Sequence, residues 1–119
     1  MKRIAGIAYA PEHGERGTGD LYLPEGAGKT PVAMAIHGGG WNAMDKGSWA
    51  GVAEFMCEQG YAVFNINYRL LDTAPWPACG DDCLAAAKFV LEGGHEALAP
   101  LDRKGGLVII GGSAGGHLT

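Results

Sequence analysis

Close to the C-terminal end of the chain, Gly111-Gly112-Ser113-Ala114-Gly115 has the form G-x-S-x-G, between an apolar run and residues able to open a helix. A serine at a cramped strand-to-helix turn has its hydroxyl pushed out above the sheet, where it can act as a nucleophile. The flanking residues must be small, because a Cβ there would collide with the neighbouring helix or strand. A helix starting at that point also aims N–H groups at it and so favours developing negative charge. The plainer alternative is a glycine-rich connection with an incidental serine.

A second segment, His37-Gly38-Gly39-Gly40-Trp41, follows the apolar run Val32–Ile36. Three glycines in series leave backbone N–H groups unshielded, so such a loop can point two of them at an oxyanion. It can also be a simple turn. A third reading arises because Gly38-x-Gly40-x-x-Ala43 fits a relaxed dinucleotide fingerprint. Against that reading, Trp41 is bulky where a pyrophosphate would approach, and the next strand ends in Asn65 and Asn67 with no carboxylate for a ribose.

The elements that must position these segments are legible. Ile4–Tyr9 and Asp20–Leu23 read as short strands, the second stopped by Pro24. Val32–Ile36, Tyr61–Asn67 and Leu107–Ile110 are continuous apolar runs, expected as strands buried on both faces. Ser48 can cap a helix running to about Gln59, with Gly60 ending it and Val52, Phe55 and Met56 forming its apolar stripe. A second helix is expected from Asp81 or Asp82 to Leu91, ended by Gly93-Gly94, its acidic residues at the positive end of the dipole. Pro24–Pro31 brackets a polar turn, and Pro75-Trp76-Pro77 forces an irregular stretch. Strands separated by helices imply an α/β, doubly wound, mostly parallel sheet with helices on both faces.

The composition bounds the function. Residues 1–119 suffice for one domain. Nine Lys+Arg against 13 Asp+Glu give a net charge of -4, so neither nucleic acid nor an anionic membrane is the expected partner. No apolar run approaches the ~18 residues needed to span a bilayer, and the charged start makes a poor signal peptide, so a cytoplasmic protein is expected. Glycine supplies 21 of 119 residues, clustered beside apolar runs as tight strand-to-helix turns require. Cys57, Cys79 and Cys83 are expected as free thiols, and no metal or other cofactor is called for.

Together, the H-G-G-G loop and the later G-x-S-x-G resemble the α/β-hydrolase fold. The closer likeness is to bacterial carboxylesterases of the acetyl-esterase and feruloyl-esterase-like group, related to the hormone-sensitive-lipase and kynurenine-formamidase branches. Asp20-Leu21-Tyr22-Leu23-Pro24, Asp45-Lys46, Asn67-Tyr68-Arg69-Leu70 and Pro75-Trp76-Pro77-Ala78 with Asp82 stand in that family's order. The likeness spans nearly the whole chain but only the first half of such an enzyme. It implies Ser113 as nucleophile and the N–H groups of Gly39, Gly40 and Ala114 as the oxyanion hole. His37 would brace the loop. Arg69 and Asp82 would form a structural ion pair, with a solvated pair as the alternative. Trp41 and Trp76 would either line the acyl or alcohol pocket or simply pack.

In this fold the chain order is Ser, then Asp or Glu, then His, and after Ser113 no acid follows. His117 is expected to pack under the turn, and His13 and His95 to be surface histidines. The chain therefore looks like the first part of the domain, truncated after the nucleophile elbow, with the remainder supplying base and acid. The expected reaction is hydrolysis of a small-molecule carboxylic ester, and the isolated segment should be essentially inactive. An amidase such as an arylformamidase, or a non-catalytic binding module of the same fold, remains an alternative.

Overall fold

In the computed structural model, residues 1–26, 30–102 and 106–119 are described. Residues 27–29, in the expected polar turn, and 103–105 lie outside them. Five strands, β1 (Lys2–Ala8), β2 (Thr18–Leu23), β3 (Val32–Ile36), β4 (Ala62–Ile66) and β5 (Val108–Gly111), form one sheet in the order β1-β2-β4-β3-β5. Strands β4, β3 and β5 run parallel, as expected, while β1 and β2 add antiparallel pairings on one side. Their connection is a 3-10 segment, Pro11–Gly17, too short for a parallel crossover.

Helix α1 (Ala50–Glu58) and helix α2 (Ala78–Leu91) cover opposite faces. Val32, Met34, Ile36, Phe64 and Ile66 pack with Cys79, Cys83, Ala86 and Val90 of α2. The alternate residues Ala35 and Val63 pack with Ala53 and Cys57 of α1. Every residue of β3 and β4 is buried, which is why neither strand alternates in polarity.

Four expectations change. The α1 stripe is only in part Val52, Phe55 and Met56: Met56 packs partly buried against the core, Phe55 is 59% exposed, and the buried residues are Ala53 and Cys57. The sheet offers α1 small side chains such as Ala35, so the helix turns its own small residues inward to approach closely. Ser48 does not cap α1; it lies in a 3-10 turn, Lys46–Trp49, capped by Asp45, and its hydroxyl donates back to the Asp45 carbonyl. Strand β5 is not buried on both faces, because it lies at the sheet edge beside β3 with Val108 46% exposed. Helix α2 starts at Ala78, about a turn before Asp81 and Asp82, and stops at Leu91 before Gly93 at φ 69°.

The register aligns Ile36 with Ile66 and with Gly111, so β3, β4 and β5 end together. The loops that follow them leave from one edge of the sheet. There the connections from β3 diverge, with β4 on one side and β5 on the other, and such a point opens a crevice.

Candidate active site

Ser113 joins β5 to a short helix, α3 (Ala114–Leu118), and adopts φ 55°, ψ −117°. For a non-glycine residue this backbone costs about 1–3 kcal/mol and persists only where the surroundings enforce it. They do so by close backbone approach. A Cβ on Gly111 would lie 2.2 Å from the Gly115 carbonyl oxygen, and one on Gly115 only 2.1 Å from that of Ile36. A Cβ on Gly112 would meet the Trp49 ring at 2.6 Å. Ala114 is buried, whereas Ser113 is exposed at the crest.

The glycine loop comes to the same point. A Cβ on Gly38 would lie 2.7 Å from the Gly112 oxygen and 3.3 Å from the Ser113 Cβ. Gly39 and Gly40 follow at φ 123° and 63°, and Trp41 at φ 64°. Thus Ser113, Ala114 and Gly38 are brought together, with Gly39 and Gly40 the next residues along.

His37 stands at the head of this loop. It is fully buried, its ring stacked on Tyr68 with centroids 4.3 Å apart. Its Nδ1 lies 2.6 Å from the Gly38 carbonyl, so Nδ1 carries the proton, because a carbonyl only accepts. The Tyr68 hydroxyl donates to the His37 carbonyl at 2.9 Å. Burial lowers the proton affinity of His37 and pushes the Tyr68 hydroxyl up to about 12. The imidazole is therefore neutral and the phenol stays a donor, which suits bracing rather than proton transfer.

The far end of the loop hangs on a network that motif spacing does not reveal. The Lys46 N–H donates to Asn67 Oδ1 at 2.7 Å, and Asn65 Nδ2 donates to the Lys46 carbonyl at 2.6 Å. Lys46 Nζ lies 3.1 Å from buried Asp20, which Arg3 also pairs with at 3.2 Å. Two asparagines at i, i+2 in an otherwise apolar run were the available signal. Buried amides need partners.

Arg69 and Asp82 form the structural pair rather than a solvated one. Arg69 donates from its backbone N–H (2.8 Å) and from Nε (3.0 Å) and Nη2 (2.9 Å) to a buried carboxylate. The bond fixes both ends of the segment that carries Trp76. His13 is not a plain surface histidine, because its Nδ1 lies 3.5 Å from Asp82 Oδ1. His95 caps the turn Glu96–Leu98 by accepting from the Ala97 N–H. The three cysteines are free and buried, with the Cys83 thiol pushed up to about 12 by desolvation.

His117 does not pack under the turn. It is exposed, lies between Trp41 and Trp76 with ring centroids 5.4 Å from each, and its Nδ1 accepts from Trp41 Nε1 at 3.2 Å. The two tryptophans thus stand together beside the serine turn. Among the described residues, no three His, Cys, Asp or Glu side chains are grouped to hold a metal ion.

The family described as BD-FAE matches residues 19–119. The chain is 35% identical over 100 residues to the carboxylic ester hydrolase LipN of Mycobacterium tuberculosis, covering 82% of this chain and 26% of that protein. It is 30% identical over 100 residues to the versiconal hemiacetal acetate esterase stcI of Emericella nidulans, covering 83% and 32%. Among solved structures, a truncated carbohydrate esterase from gut microbiota superposes with a TM-score of 0.87 at 30% identity, over 99% of this chain and 41% of that one. Esterase B from Lactobacillus rhamnosis gives 0.87 at 28%, over 98% and 37%. The chain spans about a quarter to a third of the length of these two curated relatives.

Proposed function

Because this chain belongs to the BD-FAE family, whose match covers residues 19–119, we propose that it carries the nucleophile-bearing part of a serine hydrolase acting on carboxylic esters. The acyl groups are small or modest. Ser113 Oγ attacks the ester carbonyl carbon, its proton passing to a histidine supplied, with its carboxylate partner, by residues beyond Thr119. The carbonyl oxygen becomes an oxyanion received by the N–H groups of Ala114, Gly39 and Gly40. Each such donor contributes about 3 kcal/mol at the transition state. Collapse of the tetrahedral intermediate expels the alcohol, which takes the proton from the histidine. Water then attacks the acyl-enzyme and releases the acid. Trp41 and Trp76 line the acyl or alcohol side of the site.

One observation carries this reading: Ser113 is held at φ 55° above the sheet edge with Gly38 pressed against it. A connection with an incidental serine has no need of that backbone strain, nor of an apposed glycine loop.

The test is hydrolysis of p-nitrophenyl acetate together with covalent labelling by a fluorophosphonate. The protein carrying this segment with a C-terminal part like that of its relatives should hydrolyse the ester and label at Ser113, and Ser113→Ala should do neither. The 119-residue chain alone should turn over about a millionfold more slowly, the loss that follows removal of base and acid. Turnover that survives Ser113→Ala, or robust turnover by the chain alone, overturns the proposal.

A further inference from the structure

The Trp41–His117 contact joins two segments that the proposed reaction needs in register. His117 lies one helical turn after Ser113, and its N–H donates to the Ser113 carbonyl at 3.2 Å. Its side chain reaches back to the glycine loop, where Nδ1 accepts from the Trp41 indole N–H at 3.2 Å with the rings edge to face. Three consecutive residues of that loop, Gly39, Gly40 and Trp41, have positive φ. Around a Cβ at Gly40 no described atom lies within 4 Å, so packing does not hold the loop there. Two of the three are glycines with many alternative conformations of similar energy. The Asn42 N–H donates to the Gly39 carbonyl at 3.2 Å and closes the loop on itself, but contacts outside the loop must fix its position against Ser113. On one side a main-chain bond from the Leu71 N–H to the Trp41 carbonyl at 2.9 Å does so, together with the Asp72 N–H donating to the Asn42 side-chain Oδ1 at 2.9 Å. The side facing α3 is held through the indole.

We propose that His117 is a positioning residue. By accepting from Trp41 it fixes the N–H groups of Gly39 and Gly40 relative to Ser113, and so sets the geometry of the oxyanion site. The inference rests on the serine hydrolase reading above. The imidazole must be neutral, with its proton on Nε2, because a protonated Nδ1 has no lone pair to offer. A cation cannot substitute, whereas an amide oxygen can.

Two measurements separate this inference from the reading beneath it. In the hydrolytically competent protein, His117→Ala should lower kcat on p-nitrophenyl acetate about tenfold, with KM changed less than twofold. Trp41→Phe should lower kcat to a similar extent, whatever its KM, and the double variant should lose no more kcat than either single one. His117→Gln should restore most of kcat, and His117→Lys should not. Additive losses, or an unchanged kcat in His117→Ala, overturn the proposal while leaving Ser113 as nucleophile. Independently of catalysis, amide hydrogen exchange at Gly39–Asn42 should speed up about tenfold in His117→Ala and stay near wild type in His117→Gln. Exchange that is unchanged in His117→Ala overturns the inference even if the esterase reading stands. If Ser113→Ala still hydrolyses ester, that reading fails, and the exchange result alone decides whether His117 positions the loop.

Discussion

The turn that carries Ser113 is locked by main chain against main chain, whereas the glycine loop that meets it depends in large part on side chains at its ends. At the serine turn, Gly111 and Gly115 approach carbonyl oxygens so closely that no Cβ fits. In the loop, Gly38 and Gly39 are confined too, by the Gly112 and Ala43 carbonyls, but Gly40 has open space around it. The loop is instead tied at its ends, by buried His37 before the glycines and by Lys46 after them. Backbone packing of the first kind has no adjustable part. Side-chain ties of the second kind can be loosened one at a time.

That contrast can be tested by substitution. Gly115→Ala should have the largest effect, because its Cβ would meet the Ile36 oxygen at 2.1 Å and neither backbone can yield. A loss of about 3 kcal/mol or more in urea unfolding is expected; a loss below ~1 kcal/mol would mean the turn is looser than its contacts imply. Lys46→Met should cost about 2 kcal/mol, less than the usual penalty for stripping a buried charge because Arg3 still faces Asp20. Unfolding free energies in parallel with an Asp20→Asn, Lys46→Met double variant would check it, the double losing less than the sum. Gly40→Ala should be mildest, about 1 kcal/mol from φ 63° alone. If Gly40→Ala proves as damaging as Gly115→Ala, the loop is as tightly closed as the turn and the distinction falls.

Sequence reading and structure agree best where one physical constraint dominates. Val32–Ile36 and Ala62–Ile66 are buried on both faces, and continuous apolar runs announce that directly. The serine turn was legible for a similar reason, since only small residues survive beside such close backbones. What was missed depends on partners remote in sequence. The face of α1 turned on how small the opposing Ala35 is, which hydrophobicity of the helix alone does not disclose. His117 finds Trp41 from 76 positions away, and Lys46 finds Asn65 in β4 and Asn67 just after it. Periodicity within one segment carries no information about such meetings. The edge position of β5 was hidden for the opposite reason, because an apolar strand reads the same whether or not both flanks are covered.

The dihedral angles of Ser113 have a consequence for descent. At φ 55° a glycine would sit without strain, and serine and glycine codons can be one nucleotide change apart. Were this stretch shaped by the demands of folding alone, drift would carry the position toward the smaller residue. On the reaction proposed above, the oxygen of Ser113 is what the strained backbone beneath it is tolerated for.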